Sequence, residues 1–235
     1  SVDSTNNYAM GQVHEGLAKH GIAWFANVQT AGKGQRGKVW QSNPGENILL
    51  SVVVDPAPVP APPSFIFTAG IALKCIDFLH ALTGKEFQIK WPNDIYFNDR
   101  KAGGILIENV IQGNYWKWAI IGIGINVNQV HFKPDLINPV SLKNITGHTY
   151  ITVDLARQLH SLIVENVSGI SPFNSEEIIK KYNLLLYKKN DQVQLKKGNS
   201  VFTTTINGVD KFGNLLTSDV IGRSYAVGEI EWVIA

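Results

Sequence analysis

Between Phe87 and Asn126 the chain reads as four β-runs, 87–91, 94–97, 104–111 and 116–126, divided only by short polar turns rich in Gly and Asn. Connections this short join antiparallel neighbours, because a parallel pair needs a crossover of about a dozen residues or more. After 191 a second β-rich stretch follows, with runs at 191–196, 201–209, 214–219, 223–228 and 230–234. Its turns fall at Lys197-Gly198-Asn199, Phe212-Gly213-Asn214 and Ile221-Gly222. Strands this short and closely spaced predict a small barrel. We place a boundary at 187–190, giving units of 1–187 and 188–235.

The rest of the first unit supplies helices. Asp3, Ser4 and Thr5 offer cap oxygens, Ala9, Val13 and Leu17 recur at helical spacing, and Gly21 offers a left-handed stop. Ser64 is placed to cap a long helix ending at Gly84, and 153–167 and 175–187 read as two more. Residues 22–28 and 47–54 are β-rich, while 55–63 carries five prolines and 129–150 has no period, so both are expected to be loops. The expected class is α+β: a mixed, mostly antiparallel sheet flanked by helices, plus a small C-terminal barrel.

Composition removes several function classes. Hydrophobic residues make up 44% and charged residues 17%, enough for a packed core. A net charge of +2 gives no bulk attraction to nucleic acid, so none is expected as a partner. A single Cys excludes a disulfide framework and a Cys-rich metal site, and fits a reducing, cytoplasmic setting. Cys75 itself lies mid-helix, where a buried core thiol is expected. The most apolar helix-length stretch, 65–82, carries Lys74, Asp77 and His80, so no membrane span is expected. The six histidines show no zinc-binding spacing.

Three short segments carry chemistry. Residues 32–37 read Gly-Lys-Gly-Gln-Arg-Gly. A dinucleotide loop would need a helix next, a kinase loop would need its other motifs, and a P-loop would need Ser or Thr where Val39 stands. What remains is a backbone that can approach an anion, with Lys33, Arg36 and Lys38 as the only charges between Val28 and Glu46. The loop is expected to be mobile alone and ordered by ligand. Residues 90–94 read Lys-Trp-Pro-Asn-Asp, followed by Lys101 and Gly103-Gly104. Asn93 and Asp94 either cap a turn or meet a hard cation, and Lys101 either reaches solvent or neutralises an anion. In Ile121-Gly-Ile-Gly-Ile-Asn126, Gly122 and Gly124 share one strand face, leaving room for a flat ligand or for tight packing.

Taken in order, Ser4-Thr5-Asn6, residues 29–40, 90–94, 101–104 and 122–128 resemble a biotin protein ligase of the bacterial type. The tail through Gly228-Glu229-Ile230 resembles that family's SH3-like domain. The resemblance implies a class II synthetase-like catalytic domain that makes biotinyl-5'-AMP from biotin and ATP with Mg²⁺. The biotin then passes to a lysine of a biotin carboxyl carrier protein, and a homodimer is left open. It implies that Ser4, Thr5, Asn6 and Gln29 hold the polar ends of biotin and that the Gly103-Gly104 backbone faces its ureido ring. Gly122 and Gly124 belong to the same pocket, and Trp40 walls it. Gly32, Lys33, Gly34, Gln35, Arg36 and Gly37 would close over carboxylate and phosphate. Lys101 would bridge the carboxylate and α-phosphate, with Arg36 and Lys33 as further catalytic cations. Lys90, Asn93, Asp94 and Asn126 would serve the ATP side, with Asp94 and Asn126 toward the metal. Two features depart from the family's repressor members. The N-terminal helix-turn-helix has no counterpart, which implies chemistry without autoregulation by DNA binding. Lys33 and Gln35 also stand where arginines are usual. The rival readings are a lipoate or octanoate ligase and a non-catalytic biotin sensor.

Overall fold

The computed structural model describes residues 1–56 and 65–233. The Ser64 cap and most of the proline-rich segment lie outside the described residues. The first sheet contains β1 (Ala23–Phe25), β2 (Asn47–Val54), β3 (Gln88–Lys90), β4 (Asp94–Phe97), β5 (Arg100–Gln112) and β6 (Tyr115–Asn126) in the order β1-β2-β6-β5-β4-β3. Every neighbouring pair is antiparallel, as the short turns require for the run from β3 to β6.

One face of this sheet packs on α2 (Phe65–Thr83) and α4 (Thr152–Asn166), building the main core with Leu50, Val52, Ile121, Ile123 and Ile125. The helix α2 has the length and mean hydropathy, 1.6, of a membrane-crossing helix, yet most of it is buried here. The other face receives α1 (Thr5–His14), where Ala9 and Val13 pack on Val53 and Ile120. Covering on both faces explains why β2 is an almost unbroken apolar run, Asn-Ile-Leu-Leu-Ser-Val-Val-Val, rather than an alternating one.

Two helix expectations are corrected. The first helix stops at His14, not near Gly21, because Gly16 adopts a left-handed φ of +74°. Leu17, the third residue of the expected stripe, is left 56% exposed. Within 129–150 a short helix, α3 (Leu142–Thr146), interrupts the loop. It rests on a reciprocal cap between Ser141 and Asn144 and a left-handed Gly147.

Beyond α5 (Ser175–Leu184) lies the second sheet: β7 (Gln192–Lys197), β8 (Ser200–Val209), β9 (Leu215–Ser218), β10 (Gly222–Tyr225) and β11 (Glu231–Val233), in the order β10-β9-β8-β7-β11. It forms a small barrel-like unit. The segment between the sheets bonds to both: Tyr187 N–H donates to Ile89 O at 2.9 Å and Asn190 N–H to Ile206 O at 2.7 Å. The sequence-derived division at 187–190 falls inside this segment. The Lys-Trp-Pro-Asn-Asp motif also joins the two sheets. Trp91 Nε1 donates to Gly213 O at 2.9 Å, and the Tyr182 hydroxyl donates to Pro92 O at 3.0 Å.

Candidate active site

The site lies on the α1 face of the first sheet. Gly104 pairs with Gly124, and Gly122 pairs with Ser51 and Leu106, so these positions share one face. A Cβ at Gly124 would sit 2.6 Å from Trp40 Cε2, and one at Gly122 would sit 2.9 Å from Asn6 Cγ. Both glycines therefore let a flat side chain rest on bare strand backbone, the indole in one case and the amide in the other. Gly103 lies differently: a Cβ there would meet Gly124 O at 2.8 Å.

At one end a buried polar chain begins at α1. Ser4 occupies its N-cap position without a side-chain cap bond. Thr5 N–H and Oγ1 both donate to Gln29 Oε1, at 2.7 and 3.0 Å. Ser51 Oγ lies 2.7 Å from Thr5 Oγ1 and 2.5 Å from Asn6 Oδ1. Asn6 Nδ2 donates to Glu108 Oε2 at 2.8 Å, and Glu108 Oε1 pairs with Lys33 Nζ at 3.0 Å. Ser51 and Glu108 were given no role from the sequence. The available signal was a lone hydroxyl inside an apolar strand, which must find a partner when buried.

At the other end charge collects. Lys101 Nζ pairs with Asp94 Oδ1 at 2.7 Å and lies 5.6 Å from the Trp40 ring centre. A register shift between β4 and β5 aims it there. Ile95 pairs with Gly103 but Tyr96 pairs with Lys101, so Ala102 is extra, and it packs in the core. A Cβ at Gly104 would lie 3.5 Å from Lys101 Nζ, which puts Gly104 beside the ion pair. The Lys101 backbone is fixed as well: its N–H donates to Asn138 O at 2.7 Å, and its carbonyl accepts from Val140 N–H at 2.9 Å. Asn126 Nδ2 donates to Lys101 O at 3.3 Å and to Val140 O at 3.2 Å. Asn93 Nδ2 donates to Ile105 O, tying the motif to β5. Lys90 is buried, and burial lowers its ammonium to about 8. Asp94 opposes that lowering, and Lys101 and Lys38 act in the same direction as burial. Among the described residues no group of three His, Cys, Asp or Glu side chains could hold a metal.

Residues 30–42 form the roof. Gly34 N–H donates to Lys38 O at 2.7 Å and Trp40 N–H to Gly32 O at 2.9 Å, folding the loop back on itself. A Cβ at Gly32 would meet Trp40 O at 2.5 Å. Arg36 and Gly37 both take left-handed φ, +58° and +75°. The side chains expected to hold anions diverge. Lys33 pairs with Glu108, and the Arg36 guanidinium lies against Gly228 of the second sheet. Gln35 lines a cavity of about 260 Å³ with Phe65, Phe67, Pro92, Trp116 and Val227. A larger cavity of about 620 Å³, near Asp99, Asn183 and Lys188, touches none of the expected site residues. Trp40 Nε1, Gln41 Oε1 and Ser42 Oγ are buried without partners. Each such orphan costs about 1–3 kcal/mol, so the roof has polar groups for which a ligand can supply partners.

Residues 1–126 match the Biotin/lipoate A/B protein ligase family. The bifunctional ligase/repressor BirA of Escherichia coli (strain K12) is 29% identical over 238 residues, covering 97% of this chain and 71% of the relative. The biotin–[acetyl-CoA-carboxylase] ligase of Paracoccus denitrificans is 27% identical over 227 residues, covering 94% of this chain and 93% of the relative. The biotin protein ligase of Aquifex aeolicus, solved with biotin and ATP, superposes with a TM-score of 0.82 at 25% identity, covering 100% of this chain and 96% of that one. The chain thus belongs to the biotin/lipoate A/B protein ligase family.

Proposed function

We propose that the protein is an ATP-dependent biotin protein ligase, which forms biotinyl-5'-AMP and transfers biotin to a lysine of a carboxylase's biotin carrier domain. Its family supplies the class of reaction. The observation that carries the reading within this chain is the Lys101–Asp94 pair, fixed by backbone at the head of β5 with Lys90 close by. Joining a carboxylate to a triphosphate brings two anions together. Here Lys90 feels the Asp94 carboxylate and the ammonium groups of Lys101 and Lys38, three cations to one anion, an excess of positive charge. Fixed charge of that kind stabilises the crowded phosphorus centre more than either separated reactant.

In the first step the biotin carboxylate attacks the α-phosphorus of ATP and pyrophosphate leaves, with Lys101 bridging the two anions. Magnesium arrives with the nucleotide as substrate. Asp94 and the Asn126 amide oxygen would face it, and Mg²⁺ bound through phosphates needs only one or two protein carboxylates. Thr5, Asn6, Ser51 and Gln29 would take the polar ring of biotin at the far end. In the second step the acceptor amine attacks the mixed anhydride and AMP leaves. A roof of residues 30–42 ordered over the anhydride would exclude water.

Biotin-dependent ATP–pyrophosphate exchange tests this directly. Exchange with biotin and none with lipoate or octanoate is expected, followed by labelling of a carrier domain. Exchange with lipoate or octanoate alone would move the protein to the family's other branch. Biotin binding without exchange would make it a sensor.

A further inference from the structure

Lys90 is the only charged side chain among the described residues that is buried, at 9% exposure, and it forms no ion pair there. Aromatic rings hold it. Its Nζ lies 5.2 Å from the centre of the Tyr96 ring and 5.4 Å from that of Trp232. Tyr187 links the two, 4.9 Å from Tyr96 and 5.8 Å from Trp232. Tyr96 belongs to the first sheet, whereas Trp232 comes from β11, where it pairs with Leu195. The second sheet therefore supplies one wall of the lysine's surroundings.

Trp232 is a costly choice for packing alone. Its indole N–H is buried with no acceptor. A leucine or phenylalanine would fill apolar space without that penalty. What the indole adds is a strong π face, and ammonium–indole attraction grows when water is excluded. A carboxylate in the same place would also hold the lysine, but it would neutralise the charge an incoming anion needs.

We infer that Trp232 is a positioning residue for Lys90: the second sheet supplies the ring that keeps this ammonium charged, uncommitted and beside the Asp94–Lys101 pair, ready for the polyphosphate of the nucleotide. The inference rests on the ligase reading for its substrate but not for its geometry. Two substitutions in the full chain separate the ring's charge-holding role from its packing. Trp232→Leu keeps apolar volume without a π face, and Trp232→Phe keeps a weaker face.

The test measures binding of inorganic tripolyphosphate by calorimetry and, in exchange assays, KM for ATP, KM for biotin and kcat. Trp232→Leu should weaken tripolyphosphate binding and raise KM for ATP by about three- to thirtyfold, leaving KM for biotin unchanged. Trp232→Phe should recover much of the loss at equal thermal stability. In a Lys90→Gln background the leucine change should add less than about twofold, since its effect runs through the lysine. Equal losses in the leucine and phenylalanine variants, or an undiminished leucine effect without Lys90, would overturn the inference and leave Trp232 a packing residue. Tripolyphosphate binding with the expected Trp232 dependence, but no biotin-dependent exchange, would sink the ligase reading alone. A wild-type protein that binds no tripolyphosphate would sink the inference.

Discussion

Lys101 on the floor of the site and Trp40 in its roof lie 5.6 Å apart, but they are held in different ways. Lys101 is fixed by its N–H, by its carbonyl and by the ammonium on Asp94. Trp40 has a backbone bond to Gly32 and an orphaned indole N–H, and the next two residues, Gln41 and Ser42, leave buried oxygens unpartnered. Transition-state electrostatics works through charges that need no rearrangement at the moment of reaction. A segment that must admit a ligand and then enclose it comes from the less stable part of a structure. On the proposed reading, floor and roof would divide these tasks between them.

Removing the floor's charge is the most damaging way to break that division. Lys101→Ala should lower biotin-dependent exchange about 10²–10³-fold at saturating substrates, the loss typical of one preorganised donor. The fold should survive, because the side chain lies outside the core. Lys101→Arg should restore only part of the rate, since a planar fork cannot occupy the same point as an ammonium. Near-normal exchange in the alanine variant would shift the role to Lys33 or Arg36.

A smaller effect is expected where floor meets roof. Gly124→Val would drive side-chain carbons into the Trp40 ring, and overpacking of this kind costs about 1–3 kcal/mol. The roof should give way first. The thermal midpoint should change little, while KM for biotin rises about tenfold or more. A large fall in thermal stability with unchanged KM would show that Trp40 is as firmly fixed as the floor. Ser51→Ala acts at the other end, leaving Thr5 Oγ1 and Asn6 Oδ1 without their shared neighbour. About 1 kcal/mol of stability should be lost, read by denaturant unfolding, with a matching loss of biotin affinity by calorimetry.

The same division marks what could be read from the sequence. Strand β2 was expected at 47–54, where it is found, because its apolar run is bounded by polar residues. The meander of β3 to β6 was legible because its turns are too short for anything but antiparallel pairing. Gly122 and Gly124 were visible as a bare strip, but a strip alone cannot say what lies on it. Asn6 and Trp40 arrive from residues far away in the chain. Ser51, Glu108 and Trp232 were invisible for the same reason: their roles exist only across strands or between sheets. The register shift that places Ala102 in the core and Lys101 in the site leaves no local mark, since a bulge is a property of the pair of strands. The left-handed Gly16 was a local signal. It was missed because Leu17 continued the apolar spacing past it.

Gln35→Arg sharpens the comparison with the smallest change. In this conformation Gln35 faces Phe65 and Pro92, and Arg36 rests on Gly228, so neither is committed to the floor. If the roof rearranges over the acyl-adenylate, position 35 comes to face an anion. A neutral amide can then donate a hydrogen bond, but it cannot neutralise charge, and charge-assisted bonds are roughly twice as strong. An arginine there should slow release of biotinyl-5'-AMP by several-fold, in line with the roughly 1–1.5 kcal/mol that separates neutral from charged hydrogen bonds. Exchange, which depends on the floor, should move by less than about twofold. Stopped-flow dissociation of the adenylate from the two proteins reads the difference. Equal rates would mean that position 35 never comes to face the anion, and that Lys33 and Arg36 already carry the task of holding the intermediate.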